Sequence, residues 1–131
     1  MLALNALALS LITTASALNW GDRCGWASQA VCENTGTCDN VGGTSWAGDC
    51  PGLPDNVRCC AKQGCMHPDA CPIGVRYGEC PGGSNNVMCP GYASWCGNPG
   101  DCTEWGGNEA TVLSGFCPGG EDNKLCRYKV V

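Results

Sequence analysis

Fourteen cysteines at recurring spacings constrain this chain more than any other feature. The pattern Cys-x5-Cys, a middle loop of variable length, and then Cys-x8-Cys occurs three times. In each copy the Cys-x8-Cys part opens with Cys-Pro-Gly and carries an asparagine six positions after its first cysteine. We therefore predict a threefold repeat. The cysteines of the three copies are Cys32, Cys38, Cys50 and Cys59; Cys65, Cys71, Cys80 and Cys89; and Cys96, Cys102, Cys117 and Cys126.

The N-terminus indicates export. The first 17 residues carry no charged side chain and end in the small residues Ala15-Ser-Ala17. This pattern is typical of a secretory signal peptide, because the apolar run is shorter than the about 20 residues that a membrane-spanning helix needs. We predict a secreted, extracellular protein that no segment anchors in a membrane. The rest of the chain has no Asn-x-Ser/Thr sequon, so N-glycosylation is not expected.

The composition predicts that disulfides stabilise the fold. All 14 cysteines follow residue 17, and their number is even, as full pairing requires. Large aliphatic side chains are too few to offset the conformational entropy of folding by burial alone, whereas each disulfide adds about 2–4 kcal/mol. We predict a small disulfide-rich fold, mainly β and coil, of three tandem β-hairpin modules stacked closely. The boundaries are 1–17 for the signal peptide and 18–61, 62–90 and 91–131 for repeats 1, 2 and 3.

The spacing also suggests a disulfide pairing, although three connectivities are possible within each set of four cysteines. Bridges from the first to the third and from the second to the fourth cysteine would tie both ends of the variable loop to the Cys-Pro-Gly turn. Cys24 and Cys60 remain, and a pair absent together from the other repeats is most simply bonded together. The predicted bridges are Cys32–Cys50, Cys38–Cys59, Cys24–Cys60, Cys65–Cys80, Cys71–Cys89, Cys96–Cys117 and Cys102–Cys126.

Turn signals place short strands in every repeat. In Cys-Pro-Gly, the proline presets φ and the glycine permits a positive φ. Residues 45–47, 75–77 and 112–114, which precede these turns, have strand character. We expect one antiparallel sheet of two or three strands in each repeat. The best helix candidates are short, at 27–33 and 68–71.

The cysteine order of repeat 1 matches a known kind of module. Cys24-x7-Cys32-x5-Cys38 is followed by Gly48-Asp-Cys50-Pro-Gly and by a closing Asp-Asn-Val-Arg-Cys59-Cys60. This arrangement resembles a six-cysteine module of fungal secreted proteins, which often sits beside cell-wall-lytic domains such as lysozyme-like or peptidoglycan-peptidase domains. It also resembles the β-defensin framework, which implies Cys24–Cys59 and Cys38–Cys60 as the alternative pairing.

Charge and spacing argue against several classes of ligand. The net charge of −5 disfavours nucleic acid and anionic membranes as partners, and it makes a defensin-like antimicrobial the weakest alternative. Cys-x2-Cys pairs are missing, and exported cysteines meet an oxidising environment, so we expect no structural zinc. The Asp/Asn turns lack the dense ligand run of a calcium loop. We expect no cofactor, no metal and a monomer.

Catalytic constellations are sparse. His67 is the one histidine, and a thiol nucleophile is not expected when every cysteine is paired. Paired carboxylates support glycoside hydrolysis, but a raised carboxyl pKa requires an apolar cleft, and this chain has little apolar mass to build one. We expect no enzymatic activity. The carboxylates considered are Glu79, Asp101, Glu104 and Glu109.

Aromatic side chains are the most informative remaining feature. Most are expected to pack on disulfides, but Trp46, Tyr77 and Trp105 lie in the variable middle loops, where function concentrates. Flat aromatic faces bind sugar rings at low entropic cost, so these three are the predicted ligand contacts. One short motif that contains an aromatic residue also occurs twice, as Gly25-Trp-Ala-Ser and as Gly91-Tyr-Ala-Ser.

These features predict a secreted, non-enzymatic protein that recognises extracellular surfaces through cell-wall glycan such as chitin or peptidoglycan. Three copies would add avidity to a weak single contact. The alternative is a protein-directed effector or protease inhibitor, in which Arg58, Arg76 or Lys124 faces a secreted or host protein.

Overall fold

A computed structural model describes residues 18–27, 29–106, 110–118 and 123–130. The predicted signal peptide, 1–17, lies outside these ranges. No helix within them is long and apolar enough to cross a bilayer.

Within the described residues, short strands alternate with turns and a few helical segments. In chain order the elements are β1 (Val31–Asn34), α1 (Thr35–Asn40), β2 (Thr44–Trp46), β3 (Val57–Ala61), β4 (Cys65–Met66), a 3-10 helix (Pro68–Ala70), β5 (Val87–Met88), β6 (Tyr92–Gly97), α2 (Pro99–Gly106), β7 (Thr111–Leu113) and β8 (Lys124–Lys129). The predicted fold class, a small disulfide-rich chain of strands and coil, is confirmed.

The strands form three small antiparallel sheets, ordered β1-β3-β2, β4-β5 and β6-β8-β7. In the first and third sheets, the strand that comes last in the chain lies between its two partners. The middle sheet has the same arrangement in reduced form, because Arg76 adds a single bridge to Met88 on β5. The Cys-Pro-Gly turns behave as predicted at Gly52 and Gly82, whose φ angles are 82° and 84°. One sheet lies in each predicted repeat, while the division into tandem repeats stays a prediction.

Seven disulfides link all the cysteines, and none of them joins two repeats. The pairings predicted for repeats 2 and 3 are correct, as is Cys32–Cys50. The predictions of Cys38–Cys59 and Cys24–Cys60 are wrong. The structure has Cys24–Cys59 and Cys38–Cys60, as the defensin-like framework implied.

The alternation of side chains along β3 explains this exchange. Neighbouring residues of a strand point to opposite faces of the sheet, so Cys59 and Cys60 serve different partners. Cys59 points into the core cluster that contains Cys24. Cys60 points to the other face and bonds to Cys38 on α1. By its x8 spacing, Cys59 corresponds in sequence to Cys89 and Cys126. In the structure, however, Cys60 forms the bridge that corresponds to those of Cys89 and Cys126.

Disulfides make up most of the core. Cys24, Cys32, Cys50 and Cys59 pack with Ala30 in one buried cluster. A second cluster spans repeats 2 and 3 and contains Met66, Ala70, Cys89, Cys96 and Leu125. Sulfur therefore fills positions that larger aliphatic side chains occupy in an ordinary core.

The helices differ from those predicted. A helix at 27–33 is wrong: Val31 and Cys32 pair with Cys60 and Cys59 in β1 instead, so tertiary pairing overrides the local helix propensity. Helix α1 begins just after, where the Asn34 side chain accepts a hydrogen bond from the backbone N–H of Gly36 at 2.9 Å. The candidate at 68–71 is confirmed as the 3-10 helix, which the His67 side chain caps. Helix α2 was not predicted.

One segment of repeat 1, residues 18–34, contacts both other repeats. It is named the N-terminal segment here. The Arg23 guanidinium donates to the carbonyl oxygen of Asn85 and to Oδ1 of Asn86. The buried carboxylate of Glu33 accepts the backbone N–H of Gly82 at 2.9 Å. The Gln29 amide reaches repeats 2 and 3 together. The N-terminal segment therefore links repeat 1 to both other repeats, while the second core cluster joins repeats 2 and 3 to each other.

Burial of Arg23 has an electrostatic consequence. Desolvation lowers the pKa of Arg23 from its ordinary value to about 10, which still leaves the guanidinium charged at neutral pH. The charge is held by oxygen acceptors from two repeats, including the backbone carbonyl of Gln29 at 2.7 Å. Arg23 thus joins repeat 2 to the N-terminal segment as a cation that is hydrogen-bonded rather than solvated.

Candidate functional site

An open cleft of about 560 Å³ lies between the N-terminal segment and repeat 3. This volume falls within the range of about 300–1,000 Å³ that is usual for small-molecule sites. The side chains of the cleft come from two repeats, which makes it a composite site. The described residues that line it are Trp26, Trp95, Cys96, Asp101 and Tyr128.

Backbone pairing brings Trp26 to the cleft. Strand β6 is an edge strand of its sheet, and the N-terminal segment pairs with its free side through an antiparallel bridge between Ala27 and Trp95. The backbone N–H of Cys96 also donates to the carbonyl oxygen of Trp26 at 2.8 Å. An edge strand offers unpaired hydrogen-bonding groups to an added strand, and here the same chain supplies it. Trp26 is held by its backbone while its side chain remains 68% exposed.

The sheet of repeat 3 places Trp95 and Tyr128 on one face. Trp95 on β6 lies opposite Cys126 on β8, and Tyr128 follows two residues after Cys126. Residues two apart on a strand share a face, so Trp95 and Tyr128 are diagonal neighbours. The disulfide Cys102–Cys126 fixes α2 against this face. Asp101 lies in the first turn of α2 and so reaches the cleft.

Gly97 sets the position of the Trp95 indole. A Cβ atom built on Gly97 would lie 2.1 Å from Cζ3 of Trp95 and 2.8 Å from its Cε3. The ring therefore lies directly over the glycine backbone, where no larger residue fits. This contact orients one aromatic wall of the cleft.

Replacing Gly97 tests that orientation. In Gly97→Ala the added methyl group has to displace the indole, and overpacking of this kind lowers the free energy of unfolding by about 1–3 kcal/mol. We expect an altered near-UV circular dichroism band of tryptophan and an earlier urea transition. Gly74→Ala is the matched control, since its Cβ meets nothing within 4 Å. Equal spectra for the two variants would contradict the ring position.

Asp101 determines the charge of the cleft. Of the five lining residues that the structure describes, it alone is charged at neutral pH. Its side chain is exposed at the helix start, so the carboxylate is available to a ligand. The cleft combines aromatic faces with one anionic hydrogen-bond acceptor.

The residues predicted as ligand contacts lie elsewhere. Trp46 is half-buried, packs on the cluster of Cys24 and Cys59, and donates its indole N–H to the Asp49 carboxylate. Tyr77 is 65% exposed in the turn after Arg76. For Trp105 the structure describes only the backbone, in α2, so the predicted side-chain contact lies outside the described residues. Neither Trp46 nor Tyr77 lines the cleft.

The sequence held one signal for the missed residues. Trp26 belongs to the Gly-Trp-Ala-Ser motif that returns as Gly91-Tyr-Ala-Ser. In the structure the first motif pairs with the strand that contains the second. Trp95 and Tyr128 carried no such signal, because a tryptophan and a tyrosine 33 positions apart become neighbours only through the β6–β8 register.

Of the described residues considered for catalysis, two share helix α2 and the others lie apart from them. Glu79 forms an ion pair with Arg76 at 2.8 Å, whereas Asp101 and Glu104 lie on α2. Glu109 lies outside the described residues. The ring of His67 accepts a hydrogen bond from the backbone N–H of Asp69 at 3.0 Å, so it serves as a helix cap.

The residues considered for protease contact lie in or beside paired strands. The Arg58 side chain on β3 donates to the carbonyl oxygen of Asp55, and Arg76 is held by its bridge to Met88 and its ion pair. The Lys124 ammonium on β8 donates to the Ser114 hydroxyl at 2.7 Å. All three head groups are therefore engaged within the protein.

Comparison with known proteins supports export. The chain is 35% identical over 71 residues to an uncharacterised secreted protein of Arthroderma benhamiae, and the match covers 49% of this chain and 29% of that relative. The chain thus spans under a third of the relative's length. No protein-family model matches the chain, and no solved structure matches it. Together with seven disulfides, which form in oxidising compartments, the relative identifies this chain as a secreted, cysteine-rich protein. The finer resemblance to the six-cysteine module stays a prediction.

Proposed function

We propose that this secreted protein is a non-enzymatic glycan-binding protein whose site is the cleft between the N-terminal segment and repeat 3. The ligand is a cell-wall glycan of the chitin or peptidoglycan kind. The observation that carries the proposal is an exposed Trp26 that faces the same cleft as Trp95 and Tyr128.

The aromatic rings supply the main binding energy. Large aromatic side chains in water present flat apolar area, and the CH faces of a pyranose ring are flat and apolar too. Aromatic residues recur among the contacts that dominate binding energy, because they bury much area with few rotatable bonds. A sugar that stacks in the cleft would remove the face of Trp26 from water, while the Asp101 carboxylate accepts hydrogen bonds from its hydroxyl groups.

The disulfide scaffold reduces the entropic cost of binding. Cys102–Cys126 fixes α2 on the sheet, and Cys24–Cys59 fixes the N-terminal segment two residues before Trp26. Both walls of the cleft are therefore held in place before a ligand arrives, and a preorganised site loses less freedom on binding. Because two different repeats form the cleft, the proposal is one site per chain, not the three equal contacts expected from the repeat.

Removal of Trp26 tests the site. We expect the oxidised protein to be retained on at least one of insoluble chitin, β-glucan and peptidoglycan. Trp26→Ala should lower the affinity about tenfold or more, as loss of a central aromatic contact does. The midpoint temperature of thermal unfolding should change little, since Trp26 is mostly exposed.

Tyr77→Ala is the matched control, because Tyr77 is as exposed as Trp26, 65% against 68%, but lies outside the cleft. We expect this variant to bind as the original protein does. A loss on Tyr77→Ala without one on Trp26→Ala would move the site to the residue predicted from the sequence. Failure of the original protein to bind all three polymers would remove the proposal. The protease-directed alternative would then be tested by titration against trypsin-like proteases.

A further inference from the structure

The cleft carries a charge that a neutral sugar does not match. Aromatic side chains form its walls, and the face of an aromatic ring is the negative side of its quadrupole. The charged side chain among the described lining residues is the carboxylate of Asp101. Ring faces and a carboxylate both attract a cation, and an ammonium group near a tryptophan or tyrosine face gains about 0.5–2 kcal/mol.

The groups around the cleft strengthen this preference. Glu104 follows Asp101 by three positions on α2 and is also exposed, so both carboxylates lie on one side of the helix. Arg127 and Lys129 alternate with Tyr128 on β8 and so point to the opposite face of the sheet. Lys124 shares the face of Tyr128, but its ammonium donates to Ser114.

The whole chain adds a long-range attraction. Its net charge of −5 repels polyanions and raises the local concentration of polycations. This term acts on any cationic polymer, whereas Asp101 acts only on a group inside the cleft. The two contributions can therefore be separated by substitution.

From these charges we infer that the cleft takes a sugar residue bearing a protonated amino group. The protein then binds a de-N-acetylated amino-sugar polymer more tightly than the fully acetylated polymer. This inference rests on the proposed glycan-binding function and names the ligand class for the same site. The sugar ring stacks on the aromatic walls, and its ammonium group pairs with the Asp101 carboxylate.

Calorimetric titration with two hexasaccharides of equal length, in mildly acidic buffer where the amino groups of glucosamine are protonated, tests the inference. One is fully N-acetylated glucosamine and the other is fully deacetylated. We expect the oxidised protein to bind the deacetylated oligomer roughly five- to tenfold more tightly, as a cation–aromatic contact and one exposed ion pair together allow. The preference should shrink at high salt, which screens exposed charges.

Two variants separate the cleft from the overall charge. Asp101→Asn should lower the affinity for the deacetylated oligomer and leave only about a twofold preference, which the aromatic rings supply. Asp39→Asn removes the same charge from the exposed surface of α1 and should keep the preference. Trp26→Ala should weaken binding of both oligomers. Loss of the preference in Asp39→Asn as in Asp101→Asn would show non-specific attraction and overturn the inference.

The remaining outcomes distinguish the two proposals. Equal or tighter binding of the acetylated oligomer by the original protein would overturn the cationic ligand and leave glycan binding in place. Absence of binding to both oligomers would remove glycan binding itself. The last probe is then Nα-acetyl-lysine amide, which keeps its ε-ammonium group. If it bound in an Asp101-dependent way, the ligand of the cleft would be a lysine side chain of a protein partner.

Discussion

Reduction of the disulfides at neutral pH, without denaturant, is expected to unfold this protein completely. Most residues of the first core cluster are cysteines, and its aliphatic neighbours are small or partly exposed. Each disulfide contributes about 2–4 kcal/mol by restricting the unfolded chain, whereas a small domain has a net stability of only about 5–15 kcal/mol. Loss of all seven therefore removes more free energy than the folded state has in reserve.

Tryptophan fluorescence and near-UV circular dichroism measure this outcome. The half-buried Trp46 and Trp95 should shift to the emission of solvated indole, whereas Trp20 and Trp26 are already exposed. The cooperative urea transition should disappear. The reduced chain, reoxidised under air with a thiol catalyst, should regain both signals and serves as the control for chemical damage. A reduced and thiol-blocked chain that kept its melting transition would contradict a fold stabilised by disulfides.

The sequence predicts this architecture to the extent that local patterns determine it. Turn chemistry at Cys-Pro-Gly correctly indicated the glycine conformation at Gly52 and Gly82, and strand character correctly marked the segments of β2 and β7. The spacing, with the expectation that the bridges tie the variable loop to the Cys-Pro-Gly turn, correctly paired the cysteines of repeats 2 and 3. These features depend on residues close in sequence, so a single chain suffices to find them.

The errors arise where distant segments compete. Spacing cannot tell Cys59 from Cys60, since the choice depends on which face of β3 each one points to. A helix at 27–33 is consistent with local propensity, but Val31 and Cys32 gain sheet hydrogen bonds and burial by pairing with β3. In both cases a tertiary contact decides between two local possibilities.

The candidate site was harder to predict than the fold. Trp46 and Tyr77 were selected because they lie in variable loops, which is a local criterion. Trp26 comes to the cleft because its neighbour Ala27 pairs with Trp95 on β6, 68 positions further along the chain. Apart from the repeated Gly-Trp/Tyr-Ala-Ser motif, nothing in the sequence indicates that pairing. Trp46 also shows why an aromatic residue in a loop is a weak indicator, because its ring packs on Gly25 and the Cys24–Cys59 disulfide.

Gln29 provides the clearest link between stability and the candidate site. Its buried side-chain amide donates to the carbonyl oxygen of Phe116 at 2.5 Å and accepts the backbone N–H of His67 at 2.7 Å. It therefore joins the N-terminal segment to repeats 2 and 3. Gln29 also has a positive φ of 46°, a conformation that residues other than glycine rarely adopt. The surrounding contacts compensate for that local strain.

The change Gln29→Glu keeps the shape of the side chain and replaces the amide group that donates to Phe116 by an oxygen that can only accept. A carboxylate oxygen would face the carbonyl oxygen of Phe116. Neither side-chain contact of Gln29 supplies a cation, because the nearby Arg23 guanidinium is bonded to the backbone carbonyl of Gln29. We expect the free energy of unfolding to fall by about 3 kcal/mol or more, the usual result of an uncompensated buried charge. Urea denaturation followed by tryptophan fluorescence measures the change.

Gln63→Glu is the matched control, because it makes the same chemical change at an exposed position. Surface substitutions of this kind stay within about 0.5 kcal/mol. A difference between the two variants smaller than that value would show that the Gln29 amide does not hold the repeats together. Because Trp26 belongs to the segment that Gln29 anchors, Gln29→Glu should also weaken glycan retention under conditions where the variant remains folded. Such a loss, without any substitution in the cleft, would indicate that the packing of the repeats positions the binding site.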